Sequence, residues 1–119
     1  LGVMLANVFF EHNILELSTK NRDGFHIFLS EIIATFGLIF IIFATLKDGK
    51  ITIAASVATY IMAGYWFTSS TSFANPAVAI ARTFTDSFTG INYLNTPTYI
   101  LAEFLGALIA VYFIKKLIK

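Results

Sequence analysis

The chain is predicted to be an all-α membrane protein with three transmembrane helices and a re-entrant half-helix, led by the tail of a preceding helix. Three observations predict it. Of the 119 residues, 57% are hydrophobic and 13% charged, against about 25% charged in an ordinary soluble domain; mean hydropathy is +0.78. Three apolar runs, residues 27–46, 51–67 and 98–113, approach the ~20 residues that a spanning helix needs. Between the last two runs stands Thr71-Ser72-Phe73-Ala74-Asn75-Pro76-Ala77, where a helix must begin at membrane depth. Broken backbone survives there only where it lines a protein-buried or water-filled path, which points to a pore.

Each element follows from local composition. Residues 1–10 carry one polar side chain, Asn7, and are read as the cut end of a helix and the chain as a fragment. Residues 11–25 mix Glu11, His12, Glu16, Lys20, Arg22 and Asp23 with Gly24 and are expected to form a solvated external loop, where His12 and His26 read as surface residues. Residues 26–46 form the next helix, with Glu31 its one ionisable group; Lys47-Asp48-Gly49-Lys50 ends it. Residues 51–70 follow, with Tyr65 and Trp66 suited to a headgroup belt. Residues 71–85 are the re-entrant loop and half-helix. Asn75 is a strong N-cap residue and Pro76 suits the first helical position. Only about 10 helical residues fit before Asp86, roughly 15 Å at 1.5 Å per residue. Residues 97–115 form the last helix, where Ala102, Gly106 and Ala110 make a small-residue ridge for close packing.

Charge bias sets the orientation. Lys47 and Lys50 in the short loop, and Lys115, Lys116 and Lys119 at the end, place both regions in the cytoplasm by the positive-inside rule. Two crossings lie between them, so residues 71–85 must enter and leave on the external side. The protein is expected in the cell membrane, multi-pass, with its C-terminus cytoplasmic and the lipid bilayer as its surroundings.

A net charge of +1 without a Lys/Arg cluster speaks against nucleic acid. With no cysteine there is no disulfide, thiolate metal site or Cys nucleophile. No Ser/His, paired Asp or metal constellation suggests an enzyme, and no P-loop or buried charge pair suggests active transport. A half-helix N-terminus aimed at a pore centre disfavours cations. The Asn75 amide and the carbonyls of Thr71, Ser72, Phe73 and Ala74 would replace the hydration shell of a neutral solute. Phe73 and Phe84 are expected to pack the half-helix.

On these residues the chain resembles the aquaporin, or major intrinsic protein, family, in its C-terminal half with the second Asn-Pro-Ala repeat. Ser30-Glu31-Ile32-Ile33-Ala34-Thr35-Phe36 is similar to the start of the family's fourth helix, Ala74-Asn75-Pro76-Ala77 to its second pore loop, and Ala102-Glu103-Phe104-Leu105-Gly106-Ala107 to its sixth helix. The resemblance implies a missing N-terminal half-repeat, a homotetramer with one pore per subunit, and no cofactor. It places the pore motif on Asn75, Pro76 and Ala77 and selectivity-filter positions on Ala63, Ser72 and Val78, and it makes Glu31 the carboxylate that supports the loop. The family's filter Arg is replaced here by Val78, so the filter is expected to be wider and less polar. The implied function is a passive channel for water and small uncharged solutes such as glycerol, urea or arsenous acid. Arg82, one turn beyond Val78, either lines the vestibule or pairs with Asp86. Glu103 is expected to pack against loops. A non-transporting membrane-anchored assembly subunit or an inactive channel fragment is the alternative.

Overall fold

A computed structural model describes residues 1–117. The described residues form helices and connections without a strand: α1 (Gly2–Phe9), α2 (Phe25–Thr45), α3 (Lys50–Phe67), α4 (Pro76–Ala81) with a 3-10 turn over Arg82–Phe84, and α5 (Thr96–Leu117). The half-helix is therefore six α residues closed by one tighter turn, and α3 stops at Phe67 rather than residue 70. There Thr68 turns extended, its amide and hydroxyl both bonding back to the Gly64 carbonyl. Lys119, grouped above with Lys115 and Lys116, lies outside the described residues.

The core of the fold is the α2/α5 pair. Ala34, Ala102, Gly106 and Ala110 are buried between or beside these helices. A Cβ at Gly106 would press on the Ile32 carbonyl and stand 3.0 Å from Thr35 Cβ. Small residues thus let two backbones touch, the mode of packing that helices use in lipid. The two helices run parallel. Near their starts the Arg22 amide donates to Asn95 Oδ1 at 3.0 Å; farther along, the Phe36 and Phe113 rings meet at 5.9 Å; at their ends Phe43, Lys47, Ile114 and Leu117 line one cavity. α3 runs antiparallel to α2, joined by the Tyr60 hydroxyl donating to the Ala34 carbonyl at 3.0 Å and by Ser30 and Ser69 hydroxyls 2.9 Å apart. Lys47, Lys50, Lys115 and Lys116 accordingly sit at one end of the bundle and the polar loops at the other.

Large apolar side chains point outward. On α5, Leu101, Phe104, Leu108 and Tyr112 recur at helical spacing and are each more than half exposed, whereas Glu31 and Glu103 are buried. This is the reverse of a water-soluble bundle. α2 and α5 are long and apolar enough to cross a membrane. α3 has 18 residues, but Lys50, Thr52, Ser56 and Thr59 dilute its hydropathy, and it falls short of that criterion.

The loop between α1 and α2 departs from the expectation of a solvated connection. Ser18 and Arg22 are each only 4% exposed. Arg22 donates from Nε to the Gly90 carbonyl at 2.7 Å and from Nη2 to the Phe88 carbonyl at 2.8 Å, and the Ser18 amide donates to the Thr83 carbonyl at 2.9 Å. Only these two residues of an otherwise mostly exposed mixed-charge run are buried, because carbonyls of the α4–α5 connection need donors. His12, with Nδ1 at 2.5 Å from Glu16 Oε1, stays half-exposed, and His26 is exposed.

Candidate functional site: the re-entrant segment

From Phe67 the chain turns back into the bundle. Glu31 stands six residues into α2 and Glu103 seven residues into α5, so both lie about 10 Å below the helix starts at 1.5 Å per residue. Residues 68–75 descend to that depth, and α4 returns to the end it left, where Ile91 donates to the Arg82 carbonyl at 3.2 Å.

The descent is tightly wound. Thr71, Ser72 and Ala74 have φ of 64°, 52° and 49°, left-handed values that disfavour any residue with a Cβ by roughly 1–2 kcal/mol each. Successive amide groups are then satisfied from the surrounding helices. Ser72 N–H donates to Ser70 Oγ at 3.2 Å, Phe73 N–H to Glu31 Oε2 at 3.4 Å, Ala74 N–H to Glu31 Oε1, and Asn75 N–H to Glu103 Oε1 at 3.0 Å. The Tyr99 hydroxyl holds the Ser70 carbonyl at 2.9 Å. No hydrogen bond among the described residues ends on the carbonyls of Thr71, Ser72, Phe73 or Ala74. The amides of residues 72–75 are consumed and a run of four carbonyl acceptors is left open.

Asn75 Oδ1 accepts from Ala77 N–H at 2.9 Å and caps α4, with Pro76 at the first helical position. Asn75 is exposed, and its amino group is free to meet a passing oxygen. Ala77 is exposed on α4 and Ala63 on α3. Val78 is half-buried against the cluster of Phe73, Ala79, Ile91 and Tyr99. Ser72 is 3% exposed, its hydroxyl unpartnered among the described residues, and a Cβ on Gly64 would lie 2.5 Å from it. Ser72 thus lies beside the α3 turn that carries Ala63, while Val78 belongs to the α4 side.

Arg82 does not pair with Asp86. Its Nη2 donates to the Tyr65 hydroxyl at 3.1 Å and its guanidinium lies 4.5 Å from the Phe73 ring centre. Asp86 instead accepts from the Thr19 amide and hydroxyl, both at 2.8 Å. The amide first, then the hydroxyl, holds the Asp86 carboxyl below its usual range. Glu103 takes a place that the sequence reading did not assign it, since it bonds the backbone of the Asn75 cap itself. Its Glu-x-x-Gly spacing to Gly106 was the available signal.

This arrangement defines a class: a helical membrane protein with a broken, re-entrant segment held between parallel helices by buried carboxylates. Over 109 residues, 92% of its length, the chain is 46% identical to the aquaglyceroporin AqpS of Rhizobium meliloti (strain 1021). This likeness supports the aquaporin, or major intrinsic protein, family. The match covers 47% of that protein, so the chain spans about half the length of this relative. No family model matches the chain, and no solved structure gives a significant match.

Proposed function

We propose that this chain is the C-terminal half of an aquaporin-family channel for water and small uncharged solutes, glycerol-sized molecules and neutral metalloid hydroxides among them. The observation that carries this is the polarity of residues 71–75: the amides of Phe73, Ala74 and Asn75 are drawn to Glu31 and Glu103, and the four adjacent carbonyls of residues 71–74 stay open. Open carbonyls in a row replace water around a neutral hydroxylated solute without offering it a charge. The aquaglyceroporin likeness supports the same solute class. Ala63, Ser72 and Val78 are the filter positions, all small or apolar, which gives a wide opening. A second, N-terminal half-repeat supplies the facing wall, and four copies form a tetramer in the membrane with the lysine-bearing end cytoplasmic. An assembly subunit without transport is less favoured, because it gives no reason for four unpaired acceptors at membrane depth. Catalysis has no part in this reading.

The test is stopped-flow light scattering on liposomes holding the whole protein, under sucrose and then glycerol gradients. Passage of both water and glycerol, with V78R suppressing glycerol more than water, is the expected result. Water flux equal to that of empty liposomes would refute the channel; water without glycerol would refute the wide filter.

A further inference from the structure

Val78 carries no charge, but a guanidinium stands one turn beyond it. Arg82 opens the 3-10 turn, about 6 Å outward of Val78 at 1.5 Å per residue. Two groups fix it, one of them braced in turn. Tyr65, from the last turn of α3, accepts from Nη2; the Phe73 ring lies under the guanidinium; and Phe73, only 4% exposed, is itself braced by Tyr99 at 4.9 Å and by Arg22 at 5.2 Å. An arginine stacked on a ring and tied to a phenol has one preferred orientation, which a lysine could not copy.

None of these partners neutralises the charge. Asp86 is turned to Thr19. Glu31 lies within electrostatic reach, deeper in the fold, but its oxygens are taken by the Phe73 and Ala74 amides. The second amino group, Nη1, is shut off from water and has no hydrogen-bond partner among the described residues. Arg82 also lines a cavity of about 560 Å³ at this end of the molecule, shared with Asn7, His12, Thr85 and Ser87. A buried donor without an acceptor, on a cation without a counter-ion, has no structural explanation as a surface strut.

The geometry points to Arg82, positioned by Tyr65 and Phe73, as a specificity-determining residue of the outer mouth. It is a fixed cation that turns back inorganic cations and hydronium at the mouth while leaving neutral solutes to pass. This inference rests on the channel reading. Its physical basis is direct: two unit charges roughly 6 Å apart in a wet mouth repel enough to slow entry by about 3- to 100-fold. Charge selection and size selection would then be divided, with Arg82 excluding cations and the small Ala63, Ser72 and Val78 admitting bulk.

The test compares wild type, R82A, R82K and Y65F of the whole protein in liposomes. Water and glycerol flux are followed by light scattering, and sodium and proton leak by trapped indicator dyes. R82A is expected to raise cation leak about tenfold, the middle of the electrostatic range, while water flux stays within about twofold. R82K, which keeps the charge but not the guanidinium's seat on Phe73 and Tyr65, leaves the leak between wild type and R82A; Y65F, which frees the guanidinium, raises it by about twofold or more. R82A leak equal to wild type overturns the proposal. If R82A does not reach the membrane, Y65F decides, and a leak and a glycerol-to-water ratio both at wild-type values overturn it. A wild type that passes neither water nor glycerol removes the channel reading and this proposal together, whereas a conducting wild type with an unchanged R82A removes this proposal alone.

Discussion

Replacing Glu31 with Ala removes the acceptor of two adjacent buried amides, those of Phe73 and Ala74. Hydrogen bonds to a charged group contribute about 1.5–3 kcal/mol each. The Phe73 contact, at 3.4 Å, belongs at or below the weak end of that range, so the pair is worth about 2–5 kcal/mol. The backbone it restrains is strained: three left-handed residues with side chains oppose the wound form by roughly 3–6 kcal/mol in all. Without the carboxylate the Phe73 and Ala74 amides lose the bonds that offset the strain at Thr71, Ser72 and Ala74, and the segment should unwind toward extended backbone. Glu103 holds one amide at 3.0 Å, so Glu103→Ala should lose about 1.5–3 kcal/mol. For a chain of this size or somewhat larger, each kcal/mol shifts the melting temperature by about 2–8 °C. E31A is therefore expected to melt at least about 5 °C below wild type and E103A by less, with E31Q and E103Q, which keep a carbonyl acceptor, lying between each Ala variant and wild type. Thermal unfolding of the detergent-solubilised whole protein measures this. If E31A melted at or above E103A, the assignment of the loop's principal support to Glu31 would be wrong.

Three further outcomes are expected. Gly106→Ala forces a Cβ onto the Ile32 carbonyl, which is backbone and cannot yield, so it should destabilise by about 1–3 kcal/mol. Gly37→Ala meets only the mobile hydroxyl end of Tyr60 and should lose about 1 kcal/mol through the Tyr60 bond to Ala34; the opposite ranking in melting temperature refutes the packing argument. Arg22→Ala strips two buried carbonyls, Phe88 and Gly90, of their donors and should open the α4–α5 connection to protease, with Arg22→Lys restoring only part of the protection because it lacks the two-pronged geometry. Asp86 has a depressed folded-state pKa, so the loop stability it contributes is fully present above its unfolded value of about 3.9 and is lost as pH falls through the folded value. Protection of the Thr19 amide from exchange should be constant from about pH 7 to 5 and fall below about pH 4, and Asp86→Asn should remove the acid step; a loss centred near pH 6 would point to another group.

Much of this architecture is legible in the residues. The Asn75 cap and Pro76 start follow from local chemistry, because a cap depends only on the amides two residues on. What was not legible depends on relations between distant elements. Glu103 reaches the Asn75 amide because Gly106, one turn farther along α5, seats that helix against Ile32 and so brings Glu103 level with Glu31. Helix register of this kind is set by contact, and the Glu-x-x-Gly spacing marks the close approach without saying what Glu103 bonds. Arg22 sits in a run that has the composition of a solvated loop; its burial is decided by two carbonyls more than sixty residues away. The left-handed path through Thr71, Ser72 and Ala74 contains no glycine, the usual marker of such backbone, so its winding is imposed by the carboxylates and not by propensity. Of the readings left open for Arg82, pairing with Asp86 rested on i,i+4 spacing alone, and the tertiary fold supplies Tyr65 instead.

On the proposed channel reading, the near-contact of backbones at Gly106 has a consequence for solutes of different girth. Because α2 and α5 are joined there, the two carboxylates that seat the loop belong to a single rigid jaw, and with them the depth of Asn75. α3 bears on that jaw through Tyr60 and the Ser30–Ser69 hydroxyls, slender fastenings beside a backbone seam. The side of the site that carries Ala63 is thus seated by side chains, and the depth of the loop carbonyls by a backbone seam. Aperture and chemistry are then adjusted by different parts, and substitutions along α3 can regauge the opening without resetting the oxygens that a solute meets.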